Sequence, residues 1–169
     1  MPGSDQVVSV AGHRFVTLPG SDQTESLHGD LELPLWILVT EQLEWAAPKH
    51  IVAAGALGFD MVVTEAARAL KIPYLLVLPY QGFEKRWPEG SRQRLISLIT
   101  DAARVHYVSA AGYSEWKMRK RNQWMVDNSD WTLALWSGRK GITANTIMYA
   151  WSRRKPVKNI WPEFVKQAV

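Results

Sequence analysis

Three short stretches hold residues suited to chemistry: AGHR (Ala11–Arg14), GALGFD (Gly55–Asp60) and SGRKGITANT (Ser137–Thr146). Glycines let backbone N–H groups approach an anion, and a helix that starts directly after such a turn favours negative charge at its N-terminus. In GALGFD, Gly55, Ala56 and Gly58 would form the approach. Asp60 would either cap the helix or accept from a ribose hydroxyl. In the third stretch Gly138 and Gly141 loosen the loop, and Thr143, Asn145 and Thr146 offer side-chain donors near the next helix. Both turns also have a plainer explanation: steric clearance for the glycines and ordinary N-capping by Thr143. In AGHR, Gly12 ends a strand, and Arg14 suits a bidentate contact with phosphate. His13 is a general base, a hydrogen-bonding group or a structural histidine. The four His are scattered without metal-ligand spacing, so no metal site is expected. Zero cysteines exclude disulfides, thiolate metal sites and a Cys nucleophile.

MRKRNQWMVDNSD (Met118–Asp130) mixes Arg119, Lys120 and Arg121, preceded by Lys117, with Trp and Met, then turns at once into WTLALW. A solvated helix face spreads its charges more evenly, and a core helix does not carry an Arg-Lys-Arg-Asn run. On a helix, residues 121, 125 and 128 share one face, and 118, 122 and 125 an adjoining one. Met118, Met125 and Val126 mark the inward side, so Arg121 and Asn122 lie on its border, in reach of a crevice. Trp124 and Met125 would pack beneath or line a base. Lys117, Arg119 and Lys120 turn toward solvent or a partner. The alternative is a core helix with a basic outer face.

The chain has 169 residues, which suits a single domain over 1–169. Its 47% hydrophobic and 21% charged content is that of a soluble globular protein. No apolar run approaches the roughly 20 residues needed to span a bilayer. MPGSDQ shows no signal peptide. A cytoplasmic protein without a membrane partner is expected. The net charge of +4 is unevenly placed: residues 1–45 hold one Arg and seven acids, the rest 19 Lys/Arg and nine acids. A basic remainder suggests an anionic partner: nucleotide, nucleic acid or phosphate.

Strand patterns start at Gln6, His50, Tyr74, Arg104, Trp131 and Pro156, and helical patterns over 31–47, 61–72, 91–103, 115–129 and 143–154 separate them. Phe15–Asp30 is polar, rich in turn formers and expected to be a long loop. Six alternations predict an α/β, Rossmann-like domain: a mainly parallel sheet of about six strands, flanked by helices on both faces. Ligands of such sheets sit beyond the carboxyl ends of the strands, where strand order reverses.

The set SVAGHR, GALGFD, YSEWKMRKRNQWMVDNSD and GITANTIMYA, in this order and across nearly the whole chain, resembles the YpsA-like branch of the SLOG superfamily, which includes the Smf/DprA and LOG proteins. RNQWMVDNSD is its most specific element. The resemblance implies a Rossmann-like fold with strand order near 3-2-1-4-5, a sixth strand at the edge, and Gly-rich turns that bind a nucleotide or an ADP-ribose-like ligand. It implies ligand contact by Arg121 or Asn122. Three positions depart from the family: Ala54 replaces the first Gly of a Gly-Gly turn, Ile142 separates Gly141 from Thr143, and Thr146 stands where LOG enzymes carry a catalytic Glu.

The expected function is therefore a nucleotide-binding sensor or sequestering protein, with no catalytic residue and no cofactor required. One rival is an enzyme hydrolysing an N-glycosidic or phosphoester bond through Asp60, Glu84 or Glu115. Another is a single-stranded nucleic-acid-binding protein using basic charge and exposed Trp. Trp-rich apolar helices make a homo-oligomer an expected partner state.

Overall fold

A computed structural model describes residues 5–14, 28–110, 112 and 114–168. β-Branched and aliphatic runs form β1 (Val7–Gly12), β2 (His50–Ala53), β3 (Tyr74–Leu78) and β5 (Trp131–Leu135); β4 (Arg104–Tyr107) and β6 (Val157–Asn159) are more polar. Between and after them lie α1 (His28–Ala46), α2 (Phe59–Ala69), α3 (Glu89–Asp101), α4 (Glu115–Asp127), α5 (Ile142–Ser152) and α6 (Trp161–Ala168). The strands make one sheet of order β4-β3-β2-β1-β5-β6, parallel at every pairing. This is the expected α/β, Rossmann-like fold.

The strand order differs from 3-2-1-4-5 in one respect. β4 extends the β3 edge, and β5 takes the place beside β1. Polarity explains the exchange. β5 is buried at all five positions and suits a strand covered on both faces, whereas Arg104 and Tyr107 of β4 are exposed and suit an edge. The reversal point therefore lies between β1 and β5.

α1 packs on α2 and α6, and α2 on α3; α4 and α5 pair with each other. α1 buries Leu35, Leu38, Val39, Leu43 and Ala46 at helical spacing. It begins at His28, so it takes the end of the stretch read as loop and places Pro34 beyond its first turn, where one backbone hydrogen bond is lost. The rest of that stretch, 15–27, lies outside the described residues. α6 was not expected from the sequence. β6 stops at Asn159, and Phe164 of α6 is fully buried in the core formed with α1 and α2.

Side chains fix how α4 and α5 sit. Lys155 Nζ donates to the carbonyls of Val126, Asp127 and Ser129 at 2.6, 3.0 and 2.7 Å, satisfying groups that a helix C-terminus leaves without partners. Tyr149 donates to the Asp127 carboxylate at 2.9 Å. Beneath α4 the buried hydroxyls of Ser9, Thr132 and Ser129 bond one another at 2.9 Å, tying β1 and β5 together.

At the end of β1 the fit is close. A Cβ on Gly12 would lie 2.2 Å from Phe59 Cδ1, and Phe59 N–H donates to the His13 carbonyl at 3.2 Å. Gly12 is required by this approach of α2. Gly12→Ala should cost about 1–3 kcal/mol through overpacking, and Phe59→Ala about 3–5 kcal/mol. In urea denaturation the double variant should cost less than the two combined, because losing the ring removes the Cδ1 and Cγ contacts at 2.2 and 2.6 Å, while the Cβ that alanine keeps still lies 2.6 Å from the added one. Additive losses would show that the ring is not the obstacle.

Candidate functional site

A cavity of about 260 Å³ opens where β1 and β5 part, beyond their carboxyl ends. Gly12, His13 and Arg14 enter it from β1, and Ala56 and Asp60 from the turn into α2. Arg121 and Asn122 of α4 face them, with Gly141, Thr143 and Thr146 at the start of α5. Ten of the fifteen sequence-predicted positions thus meet at one place. A larger groove of about 690 Å³ lies between α4 and α5 and shares Asn122, Gly141, Ile142 and Thr146 with the cavity.

The other five positions are elsewhere. The open side of Gly55 faces Leu78 and Leu95 in the core. Gly58 precedes α2 at its N-cap. Met125 is buried with Val52, Ala54 and Val77, so it packs beneath the site and does not line it. Gly138 lies in the loop before α5, with nothing against its open side. Asn145 lines the neighbouring groove. Lys117 does not turn to solvent: its Nζ donates to the Ala110 and Gly112 carbonyls at 2.7 and 2.8 Å. Lys120 stands 5.0 Å from the exposed Trp116 ring, Arg119 lines the groove, and Trp124 stacks on His106 at 4.7 Å.

Sequence reading passed over Arg139 and Lys140, which line the cavity from the loop before α5. The signal was present: two adjacent cations immediately before a helix-opening Gly. Three contacts hold this loop. Asn159 brackets the Trp136 backbone, accepting from its N–H at 3.0 Å and donating to its carbonyl at 2.9 Å. The Trp136 indole donates to the Arg139 carbonyl at 2.8 Å. His13 Nε2 accepts from Ser137 N–H at 2.8 Å. That bond requires an unprotonated Nε2, and burial, then the Arg139 charge, push the His13 pKa down. His13 is thus a neutral tie between β1 and the loop, not a base with a free lone pair on Nε2. Gly141, at φ 146°, sits in a backbone conformation that side chains disfavour, and Ile142 is already the first residue of α5.

The cavity floor carries two buried charges. Asp60 does not cap α2. Its Oδ2 accepts from the Ala54 N–H at 3.1 Å, back across the turn. Burial pushes its carboxyl up to about 6, opposed by the Arg121 charge and the Ala54 bond. Arg121 is 7% exposed, and burial brings its guanidinium down to about 10, with Asp60 supporting the charge and Arg14 opposing it. The Arg121 Nε–H donates to Asn122 Oδ1 at 3.1 Å, and among the described residues its terminal nitrogens have no hydrogen-bond or ion-pair partner. Arg14, Arg139 and Lys140 add positive charge around one carboxylate. The arrangement can hold an anion through guanidinium donors and through the amides that open α5.

A six-stranded parallel sheet with a cationic crevice at its reversal point defines a Rossmann-like α/β protein. Residues 10–160 match the family model of YpsA, the YspA SLOG family, and the chain belongs to that family. It is similar to the SPbeta prophage-derived protein YoqJ of Bacillus subtilis, at 25% identity over 68% of this chain and 77% of the relative. It is also similar to a UPF0398 protein of Bacillus thuringiensis, at 22% identity over 95% of this chain and 90% of the relative. In fold it is similar to DNA processing protein A of Helicobacter pylori, with TM-score 0.63 and 16% identity over 95% of this chain and 72% of that one. The same protein from Streptococcus pneumoniae gives TM-score 0.58 and 17% identity over 90% of this chain and 49% of that one. No described helix is long and apolar enough to cross a membrane.

The Asp60 carboxyl sets an expected pH dependence. An anion in the cavity favours its protonated form and raises its pKa further, so binding takes up a proton. Affinity for sulfate, which does not titrate here, should therefore rise as pH falls from 8 to 5, steepest above 6, between the value of about 6 in the free protein and the raised value in the complex. Asp60→Asn should flatten this profile and strengthen binding at pH 7. Calorimetry at several pH values checks it, and an affinity that rises with pH would show that the ionised carboxylate itself takes part in binding.

Proposed function

We propose that the protein binds a nucleotide or ADP-ribose-like small molecule in this cavity, as a sensor or sequestering module without catalysis of its own. The observation that carries the reading is Arg121: a guanidinium buried at the reversal point, whose terminal donors have no acceptor among the described residues. Burying a charge is costly and Asp60 offsets only part of that cost, so the position is best explained by an anionic ligand. Thr146, in place of the catalytic Glu of LOG enzymes, supports a binding role: its hydroxyl donates back to the Ile142 carbonyl at 3.0 Å. Of the three carboxylates weighed for hydrolysis, Asp60 lines the cavity, Glu115 the groove and Glu84 neither.

A second reading, single-stranded nucleic acid, is favoured by the exposed Trp116 beside Lys120. A fold neighbour, DNA processing protein A of Helicobacter pylori, binds single-stranded DNA.

One set of titrations separates the two. With AMP and ADP-ribose as probes, Arg121→Ala should lower affinity at least about tenfold, or roughly 1.4 kcal/mol. Arg14→Ala should cost about 1.5–3 kcal/mol, as for a lost charge-assisted bond. Lys120→Ala should leave affinity nearly unchanged. Equal losses for Arg119, Lys120 and Arg121 with an oligonucleotide, shrinking at high salt, would replace the pocket by a strand-tracking surface.

A further inference from the structure

We propose that the α4–α5 groove is the base subsite of the same ligand. The molecule bound would be a nucleoside monophosphate, its phosphate in the cationic cavity and its flat heterocycle between α4 and α5. The inference rests on the cavity being an anion site. Three features carry the extension.

The first is adjacency. The two spaces share Asn122, Gly141, Ile142 and Thr146 in their linings, and Ile142 between them is 56% exposed, so the phosphate end and the flat end of one molecule have neighbouring places to sit. The second is size. At about 260 Å³ the cavity falls below the range of roughly 300–1,000 Å³ usual for ligand pockets, and the groove, at about 690 Å³, supplies the missing room.

The third is chemistry, which changes from one space to the other. The cavity sets Arg14, Arg121, Arg139 and Lys140 against Asp60. The groove holds one guanidinium, Arg119, and one carboxylate, Glu115, and so offers no net charge to a second phosphate. Its walls are Met118 from α4 with Ile142 and Met148 from α5, and Met148 is 58% exposed. Thioethers and a guanidinium plane are good surfaces for an aromatic ring. Gln123 and Asn145 carry carboxamides, which donate and accept at once and match the hydrogen-bonding edge of a nucleobase. A sugar phosphate alone would leave all of these groups unused.

Binding of ribose 5-phosphate and of AMP, GMP, CMP and UMP by calorimetry tests the proposal. At least one mononucleotide should bind about tenfold or more tighter than ribose 5-phosphate, the range expected for one stacked base. The surface double variant Asn145→Ala/Met148→Ala should bring that nucleotide to within about threefold of ribose 5-phosphate, whose own affinity should not change. Arg121→Ala should weaken both probes. If every mononucleotide binds only as well as ribose 5-phosphate, or the double variant weakens both alike, the groove is not a base subsite and the anion cavity stands. If no phosphate probe binds, or Arg121→Ala leaves binding intact, the cavity reading and the base subsite both fall.

Discussion

Burying a guanidinium and a carboxyl on the floor of one crevice is the constraint around which the rest of this molecule is arranged. Desolvation acts against both charges, lowering Arg121 to about 10 and raising Asp60 to about 6. Their attraction offsets part of that cost, yet they do not close into a bonded pair. Asp60 is instead held by the Ala54 amide, and Arg121 by its neighbour Asn122. A bonded pair would satisfy itself. A pair held apart leaves guanidinium donors available at the place where a Rossmann-like sheet receives its ligand.

Holding the two groups apart needs a stiff frame. The Asp60 side rests on the contact of Phe59 with Gly12, which brings α2 against the end of β1. The Arg121 side rests on α4, whose far end is clasped by Lys155 and Tyr149. The loop before α5 is tied to β1 by His13 and to β6 by Asn159. Their effect is positional: each fixes one wall of the crevice, so the cations around it stay close together with no carboxylate but Asp60 on the lining.

The positions at which the chain departs from its family pattern acquire physical meaning here. Ala54, in place of a Gly, is 3% exposed and gives its amide to Asp60, so that part of the turn serves the carboxylate. Ile142 begins a helix, with the glycine conformation moved to Gly141, and it forms part of the rim between cavity and groove. Thr146 closes a bond within its own helix. Each of these positions leaves the cationic crevice in place.

Hydrophobic runs and the turns between them made the six strands and five of the six helices legible in the linear chain, because each depends on local periodicity and residue type. Helical geometry alone put Arg121 and Asn122 on the crevice side of α4. The strand order was not legible, since it depends on which strand tolerates an edge, and the polarity of RVHY against WTLAL decides that only once strands compete for the centre. α6 was hidden because PEFVKQA is short, and only Phe164 in the core gives it purpose. The roles within the turns were also decided in three dimensions. Gly12, expected at the ligand site, lines the cavity and also gives clearance to Phe59. Of the base, hydrogen-bonding and structural readings open for His13, the Ser137 contact selects a hydrogen-bonding tie. Residue type states what a side chain is able to do, but its neighbours, often more than a hundred residues away, determine which hydrogen bonds are already taken and which charges have been removed from water.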